Sequence, residues 1–217
     1  MDEYNITKSK RKSFAIIIKP CGEVSVKVPY RASKFQIKEF ITKNQNWIKQ
    51  QLEQINNELA IIKQSKNLLF FLGHKYLVKE NNHQTNPIEF TGTEFVIKNG
   101  FLNKIPQWYK LQTEKLVKPI IEEYSQKFNF KYTSFKITNA KSRWGSCNIN
   151  GSICFSYRLS MLPLEVINYI VVHELTHLKH FNHSKDFWNA VKQICPDYKV
   201  ANQWLKNNKI ILANMLV

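Results

Sequence analysis

The chain has 217 residues and a mass of 25.7 kDa, with 43% hydrophobic and 13% aromatic residues. This composition supports a sizeable core, and with only six glycines and seven prolines it excludes disordered and collagen-like chains. No apolar stretch approaches the roughly 20 residues that cross a bilayer, and the N-terminal residues lack the apolar run of a secretory signal. We therefore expect a cytoplasmic protein of one domain or two small ones, not bound to a membrane.

The net charge of +16 makes nucleic acid a possible partner. The excess is spread along the chain, with +7 in residues 1–100 and +9 in residues 101–217. Only four of the 32 basic residues are arginines, the side chain that most often contacts phosphates and guanines through paired hydrogen bonds. Nucleic-acid binding is therefore possible but not favoured.

The first predicted region, residues 1–103, contains β-strands and one long helix. Two strands are predicted within residues 11–30, on either side of a turn at Cys21-Gly22. A helix is predicted over about residues 34–63, because apolar residues recur there at three- and four-residue steps. We expect this apolar stripe to face the core, with Trp47 among its packing residues. Two further strands are predicted over residues 68–80 and 88–98.

The second predicted region, residues 104–217, begins after Asn99-Gly100. A long helix is predicted over residues 104–128, and Pro119 should kink it or divide it in two. Short strands then precede three helices, which indicates an α+β fold rather than repeated βαβ units. The predicted strands are residues 135–138, 143–148 and 152–157, and the predicted helices are residues 163–181, 185–195 and 198–208.

The four cysteines are scattered and form no CxxC motif. Cys147 and Cys154 flank Asn150-Gly151, a strong signal for a two-residue hairpin turn, and in that register they would face each other as a hydrogen-bonded pair. We expect reduced structural thiols, because buried free cysteine is common. A regulatory disulfide or a second metal site is the alternative for this pair.

Four of the six histidines fall within the segment His173–His183, which begins with an HExxH motif. On a helix, His173 and His177 present their imidazoles to the same point, as two ligands of one Zn²⁺ require. Glu174 then lies beside the metal, where it can accept a proton from water. The motif follows apolar helical sequence, in which a charged Glu is costly unless something compensates it. The sequence therefore predicts a zinc site with Glu174 as the catalytic base.

The third ligand requires the chain to turn back. His180 would stand about 10.5 Å along a continued helix from His173, too far to share the ion. Asn182 can end the helix in a left-handed conformation, and Ser184 can cap the next one. We therefore favour His183 as the third ligand, with His180 or Asp186 as alternatives.

The short segment Arg143–Cys147 has a glycine within a predicted strand, and such a glycine often marks the close approach of another backbone. Its edge could accept substrate as an added strand, with Arg143, Trp144, Gly145 and Ser146 lining the cleft. In the alternative, Trp144 packs in the core and Arg143 pairs with an acidic residue. Tyr157 or Arg158 could donate a hydrogen bond to an oxyanion.

At these residues the sequence resembles the YgjP-like metallopeptidase domain family, related to the SprT-like and WLM zincins. The resemblance rests on Arg143-Trp-Gly-Ser-Cys147, Arg158-Leu, His173-Glu-Leu-x-His-Leu and His183-Ser-x-x-Phe-Trp188. It implies zinc on His173, His177 and His183, with Glu174 as base, in a zincin-like α+β region that starts at about residue 104. In such a region the HExxH helix lies beside a small antiparallel sheet.

The sequence therefore predicts a hydrolase with one Zn²⁺ per chain that cleaves peptides or proteins. One alternative is a zinc protease associated with DNA, or a nucleic-acid-binding module, using the basic surface. Another is a zinc ion that only stabilises the fold, although three ligands leave the open position typical of catalysis. The oligomeric state and the identity of the substrate are not predicted.

Overall fold

The structure is a computed structural model that describes residues 4–19, 21–64 and 67–208. These residues form helices and strands in mixed order, which confirms the α+β class. They divide into two compact units, residues 4–64 and residues 67–208. The domain boundary predicted after residue 103 stays a prediction, and the apolar residues 210–217 lie outside the described part. None of the described helices is long and apolar enough to cross a lipid bilayer.

The first unit contains a three-stranded sheet in the order β1-β3-β2. The two predicted strands are present as β2 (Ala15–Ile18) and β3 (Val24–Pro29), and they form an antiparallel hairpin. The strand β1 (Asn5–Ser9), which we did not predict, pairs in parallel with β3. Alternate residues of β3 are buried, so one face of the sheet covers the core of this unit.

The single helix predicted over residues 34–63 is wrong, because the structure has two helices there. The helices are α1 (Lys34–Lys43) and α2 (Gln45–Gln64). Asn44 separates them: its amide nitrogen Nδ2 donates to the Phe40 carbonyl 2.7 Å away, and its backbone leaves the helical conformation. Asparagine favours such local hydrogen bonds over helix continuation.

The apolar stripe is only partly in the core. Ile37, Ile48 and Ile55 are buried, whereas Phe35 is 75% exposed and Trp47 is 46% exposed. Trp47 is thus only partly buried, and its role as a packing residue stays a prediction. The predicted stripe also included Leu59 and Ile62, whose side chains lie outside the described part.

The second unit begins with a four-stranded sheet in the order β4-β5-β7-β6. Its strands are β4 (Leu68–Phe71), β5 (His74–Glu80), β6 (Ile88–Phe90) and β7 (Phe95–Ile97). Each of the two long strands predicted here is thus two short ones. Leu72 and Gly73 both have positive φ, which is the geometry of a tight hairpin turn and divides residues 68–80. The backbone nitrogens of this turn donate to the carbonyls of Ser160 and Met161.

The helix α3 (Ile105–Phe128) continues through Pro119 without a break between separate helices. Its buried residues Tyr109, Thr113, Val117 and Ile121 recur every four positions on both sides of the proline. Pro119 lies on the exposed face, so water can reach the carbonyl that loses its helical partner. Packing on the buried face therefore outweighs the division into two helices that was one of the two predicted outcomes, and the predicted kink stays a prediction.

A second three-stranded sheet follows, in the order β8-β10-β9. Its strands are β8 (Ser134–Thr138), β9 (Gly145–Cys147) and β10 (Ser152–Ser156). The sheet is mixed rather than antiparallel, because β8 and β10 run parallel while β9 runs antiparallel to β10. Among the described residues, β9 pairs on one side only and forms an edge of this sheet.

The predicted register of Cys147 and Cys154 is wrong by one residue. Cys147 lies opposite Ile153, and Cys154 lies opposite Ser146. Asn148 causes the shift, because its side-chain oxygen accepts the backbone nitrogens of Asn150 and Ser152 and closes a three-residue loop. Neighbouring residues of a strand point to opposite faces, so the two cysteines do not face each other.

The last three helices are α4 (Leu164–Thr176), α5 (Lys185–Ile194) and α6 (Tyr198–Asn207). The sequence predicted that the first of these would extend to residue 181, but α4 ends at Thr176. Nine of its 13 residues are buried, as its apolar sequence requires.

Gly73 offers a test of packing in this unit. A side chain at Gly73 would place Cβ 2.7 Å from Cγ of Pro163, and the residue has φ +83°. Gly92 has φ +96° but no neighbour within 4 Å of the same position. Gly92→Ala should therefore lower the free energy of unfolding only by the strain of the left-handed backbone, about 1–2 kcal/mol. Gly73→Ala should lower it by the same strain and by a further 1–3 kcal/mol or so from the clash with Pro163. Urea denaturation measures both, and equal losses would contradict the contact.

Candidate metal centre

Three imidazole rings form a triangle at the end of α4. His173 lies in the last turn of the helix, His177 follows its last residue, and His183 lies in the loop before α5. Their ring centroids are 4.8 to 5.0 Å apart in every pair. The Nε2 atoms of His173 and His183 are 3.0 Å apart, and one ring nitrogen of each histidine lies within 4.8 Å of the others.

The chain reverses direction between Thr176 and His183. The backbone nitrogens of Lys179 and His180 both donate to the Thr176 carbonyl, which closes the helix with a tight turn. Asn182 lacks the left-handed conformation predicted for it. Its side-chain oxygen instead accepts the backbone nitrogen of Ser184, whose hydroxyl caps α5. His183 is therefore held between two hydrogen-bonded turns.

His180 contributes to the histidine triangle through its backbone carbonyl rather than through its ring. Its carbonyl lies 3.0 Å from Nδ1 of His177, so an Nδ1–H donated to that carbonyl leaves Nε2 of His177 free. Such a hydrogen bond commonly fixes the orientation of a metal-binding histidine. Within the described residues the convergent set is His173, His177 and His183, and it contains neither His180 nor Asp186.

Phe187 lies against all three imidazoles. Its ring centroid is 4.6 to 4.9 Å from those of the histidines, and the ring is completely buried. Trp188 stacks on His183 at 5.8 Å. We assigned no role to either residue from the sequence, although Phe187 lies one helical turn after His183. The two aromatic residues restrict the positions that the imidazoles can occupy.

The histidines are suited to bind a cation. Burial, together with the charges of His177 and His183, lowers the pKa of His173 to about 4, and burial also lowers the pKa of His177. The neutral form that these shifts favour is the form that binds metals. Two nitrogens bound to one tetrahedral zinc by bonds of 2.0–2.1 Å would be about 3.3 Å apart. The Nε2 atoms of His173 and His183 are 3.0 Å apart, which is close to this value. The residues present therefore fit a divalent cation that prefers nitrogen ligands.

Glu174 is buried beside this triangle, with 7% of its surface exposed. Burial raises the pKa of its carboxyl group to about 7, against the opposing charge of Arg143. A Cβ at Gly145 would lie within 2.6–2.8 Å of three atoms of the Glu174 side chain. The glycine in β9 thus marks close approach by a carboxylate side chain, whereas the sequence suggested a backbone.

The other predicted substrate residues divide into two groups. Arg143 is exposed and influences the charge of Glu174, while Gly145 and Ser146 belong to the edge strand β9. Trp144 lies 5.4 Å from the guanidinium of Arg158, which is buried and donates to the Lys141 carbonyl.

Tyr157 belongs to the core. Its ring lies 6.4 Å from that of Tyr109, and its carbonyl accepts the Thr113 hydroxyl. In the described part of the chain, neither Tyr157 nor Arg158 makes a hydrogen bond or ring contact with the three histidines. The oxyanion role suggested for them stays a prediction.

All four cysteines are free thiols. Burial raises the pKa of Cys147 to about 11, and the charge of Glu174 adds to the shift. Within the described residues, neither Cys147 nor Cys154 belongs to a group that could hold a metal. The strand register does not place the two thiols opposite each other, so it does not support the disulfide considered for this pair. The second metal site is not supported either, because the described metal-binding group contains neither cysteine.

The raised pKa of Glu174 predicts a pH-dependent stability in the metal-free protein. The carboxyl has a pKa of about 7 when folded and about 4.5 when unfolded, so its ionisation costs stability as pH rises through this interval. Glu174→Gln should therefore increase the free energy of unfolding by about 3 kcal/mol above pH 7, and by little near pH 4. The exposed Glu114→Gln should change it by less than about 0.5 kcal/mol at either pH. Urea titrations at several pH values test this, and a pH-independent difference would contradict it.

Comparison with known proteins assigns the family. The YgjP-like metallopeptidase domain model matches residues 12–208, whereas no curated protein matches the chain. The metallopeptidase zymogen of Pyrococcus abyssi abylysin is 23% identical with a TM-score of 0.39, over 43% of this chain and 95% of that one. Wss1 from Saccharomyces cerevisiae is 22% identical with a TM-score of 0.38, over 48% and 87%. These two similarities are too low to transfer any property. From the family match, the chain belongs to the YgjP-like metallopeptidase domain family and is a metal-dependent hydrolase.

Proposed function

We propose that this chain is a zinc-dependent peptidase with one zinc ion per chain, held by His173, His177 and His183. The observation that carries the proposal is the triangle of three imidazoles with a buried carboxylate beside it. Three nitrogen ligands suit zinc and leave a fourth position open, as in catalytic rather than structural sites. When bound, zinc would lower the pKa of a water molecule and polarise the carbonyl of a peptide bond.

Glu174 is the general base in this proposal. Burial raises the pKa of its carboxyl to about 7 in the metal-free protein, and an ionised Glu174 can accept a proton from water and later donate it to the leaving amine. The contact with Gly145 limits where the carboxylate can lie. The cation and the positive charge of Arg143 would favour its ionised form.

The substrate would bind as an extended peptide along the open edge of β9. Edge strands offer unpaired backbone groups to which a peptide can add as a further strand. Gly145 and Ser146 lie in this strand, and Arg143 and Trp144 directly precede it. Because Gly145 also contacts Glu174, a peptide on this edge would lie next to the proposed base. We include α4 and the sheet of β8, β9 and β10 in one zincin-like catalytic region.

The ligand set is tested by two histidine variants. His183→Ala should lose zinc, with affinity at least about 100-fold weaker, because losing a ligand costs more than losing the partner of a ligand. His180→Ala is the matched control and should keep its zinc, because its backbone carbonyl remains to orient His177. Metal analysis after dialysis measures both. Retention of zinc by His183→Ala would refute this ligand set.

The role of Glu174 is tested by combining metal analysis with peptide cleavage. Glu174→Gln should keep its zinc but lose activity by about 10²–10⁴-fold, the usual contribution of a general base. Glu165→Gln, at the exposed start of the same helix, should retain both zinc and activity. Substantial peptide cleavage by the zinc-loaded Glu174→Gln variant would show that another group is the base.

A further inference from the structure

Positive charge is concentrated in the first unit. Residues 4–19 and 21–64 contain 12 basic and four acidic side chains, a net charge of +8. Half of the net charge of the chain thus belongs to little more than a quarter of its residues. Residues 67–100 carry three basic and three acidic side chains and therefore add no net charge to that of the first unit.

The sheet of this unit gathers two basic segments at one end. The strands β1 and β3 are parallel, and their last residues, Ser9 and Pro29, are paired. The residues that follow the two strands therefore leave the sheet at the same end. The Ser9 carbonyl accepts the backbone nitrogens of both Arg11 and Tyr30, which holds the segments together. We call residues 10–12 and 30–38 the basic end.

The basic end contains six cationic side chains and no acidic one. They are Lys10, Arg11, Lys12, Arg31, Lys34 and Lys38. None of them forms an ion pair within the described residues, and the first carboxylate of α1 is Glu39, just outside the basic end. Two of the four arginines in the chain are here. Charges left unpaired in this way attract a polyanion.

Two exposed aromatic rings lie among these cations. Tyr30 is 59% exposed and Phe35 is 75% exposed, and both belong to residues 30–38. The core beneath is formed by other residues, with Val28, Ala32 and Ile37 buried. The two rings are thus available to a partner. Aromatic rings beside cations are typical of surfaces on which nucleic-acid bases stack.

We propose that the basic end binds single-stranded nucleic acid, with its cations on the phosphates and with Tyr30 and Phe35 stacked on bases. A single strand suits this surface better than a duplex, because only unpaired bases can expose a face to the rings. The six cations provide the attraction that is independent of sequence. This inference concerns the first unit alone and does not depend on the proposed peptidase activity.

Charge reversal in the full-length protein tests the contribution of the cations. Binding to fluorescent 20-nucleotide oligothymidine and oligouridine is measured by anisotropy at several salt concentrations. Arg31→Glu with Lys34→Glu should weaken binding at low salt and reduce the slope of log affinity against log salt by about 1.4, or 0.7 for each lost phosphate contact. Lys43→Glu with Lys49→Glu changes the net charge equally at exposed positions outside the basic end and should have a much smaller effect. Equal effects of the two pairs would overturn the proposal.

Removal of a ring tests stacking. Phe35→Ala should weaken binding to both oligonucleotides at least about five-fold, whereas Trp47→Ala, which removes another exposed ring, should change it less than about two-fold. Circular dichroism confirms that both variants fold. Absence of oligonucleotide binding at low salt, no loss with Phe35→Ala, or equal affinity for a duplex would each overturn the proposal. So would binding to phosphatidylserine vesicles in place of oligonucleotides.

Discussion

The side chain of Glu174 fits into this structure because residue 145 has none. Gly145 lies in β9 and Glu174 in α4, and the contact between them joins the edge of a sheet to the most apolar of the described helices. Any larger residue at position 145 would occupy the space of the Glu174 side chain. Burial of this carboxyl group raises its pKa. A strand edge, a buried acid and the imidazole triangle are thus brought within one small volume.

The candidate site was predictable where it depends on helical periodicity. The spacing of His173 and His177 follows from the four-residue repeat of a helix, and the apolar sequence before them predicts burial. His183 could be chosen over His180 only because a continued helix would separate His180 too far along its axis. The carbonyl of His180 and the ring of Phe187 were missed, since a backbone acceptor has no sequence signal and a phenylalanine in an amphipathic helix is ordinary core.

The errors in the fold came from local hydrogen bonds and from exposure. Asn44 divides a helix and Asn148 shifts a hairpin, in each case by bonding its side chain to the nearby backbone. The hydrophobic pattern of the flanking residues does not reveal either effect. Pro119 shows the opposite outcome, since its position on the exposed face of α3 lets one helix continue where its residue type predicted a kink or a division in two. The exposure of a side chain depends on which faces of its helix are covered by other elements. Periodicity alone therefore did not predict the exposure of Phe35 and Trp47.

The open edge of β9 also has a consequence for self-association. A strand with unpaired backbone groups can join the edge of another molecule and begin aggregation. This strand is only three residues long, and the exposed Lys141 and Arg143 lie in the segment shortly before it. Short length and adjacent like charges both disfavour pairing between two copies of the same edge. Within the described residues, β9 therefore remains an edge strand while the risk that two copies pair along it is limited.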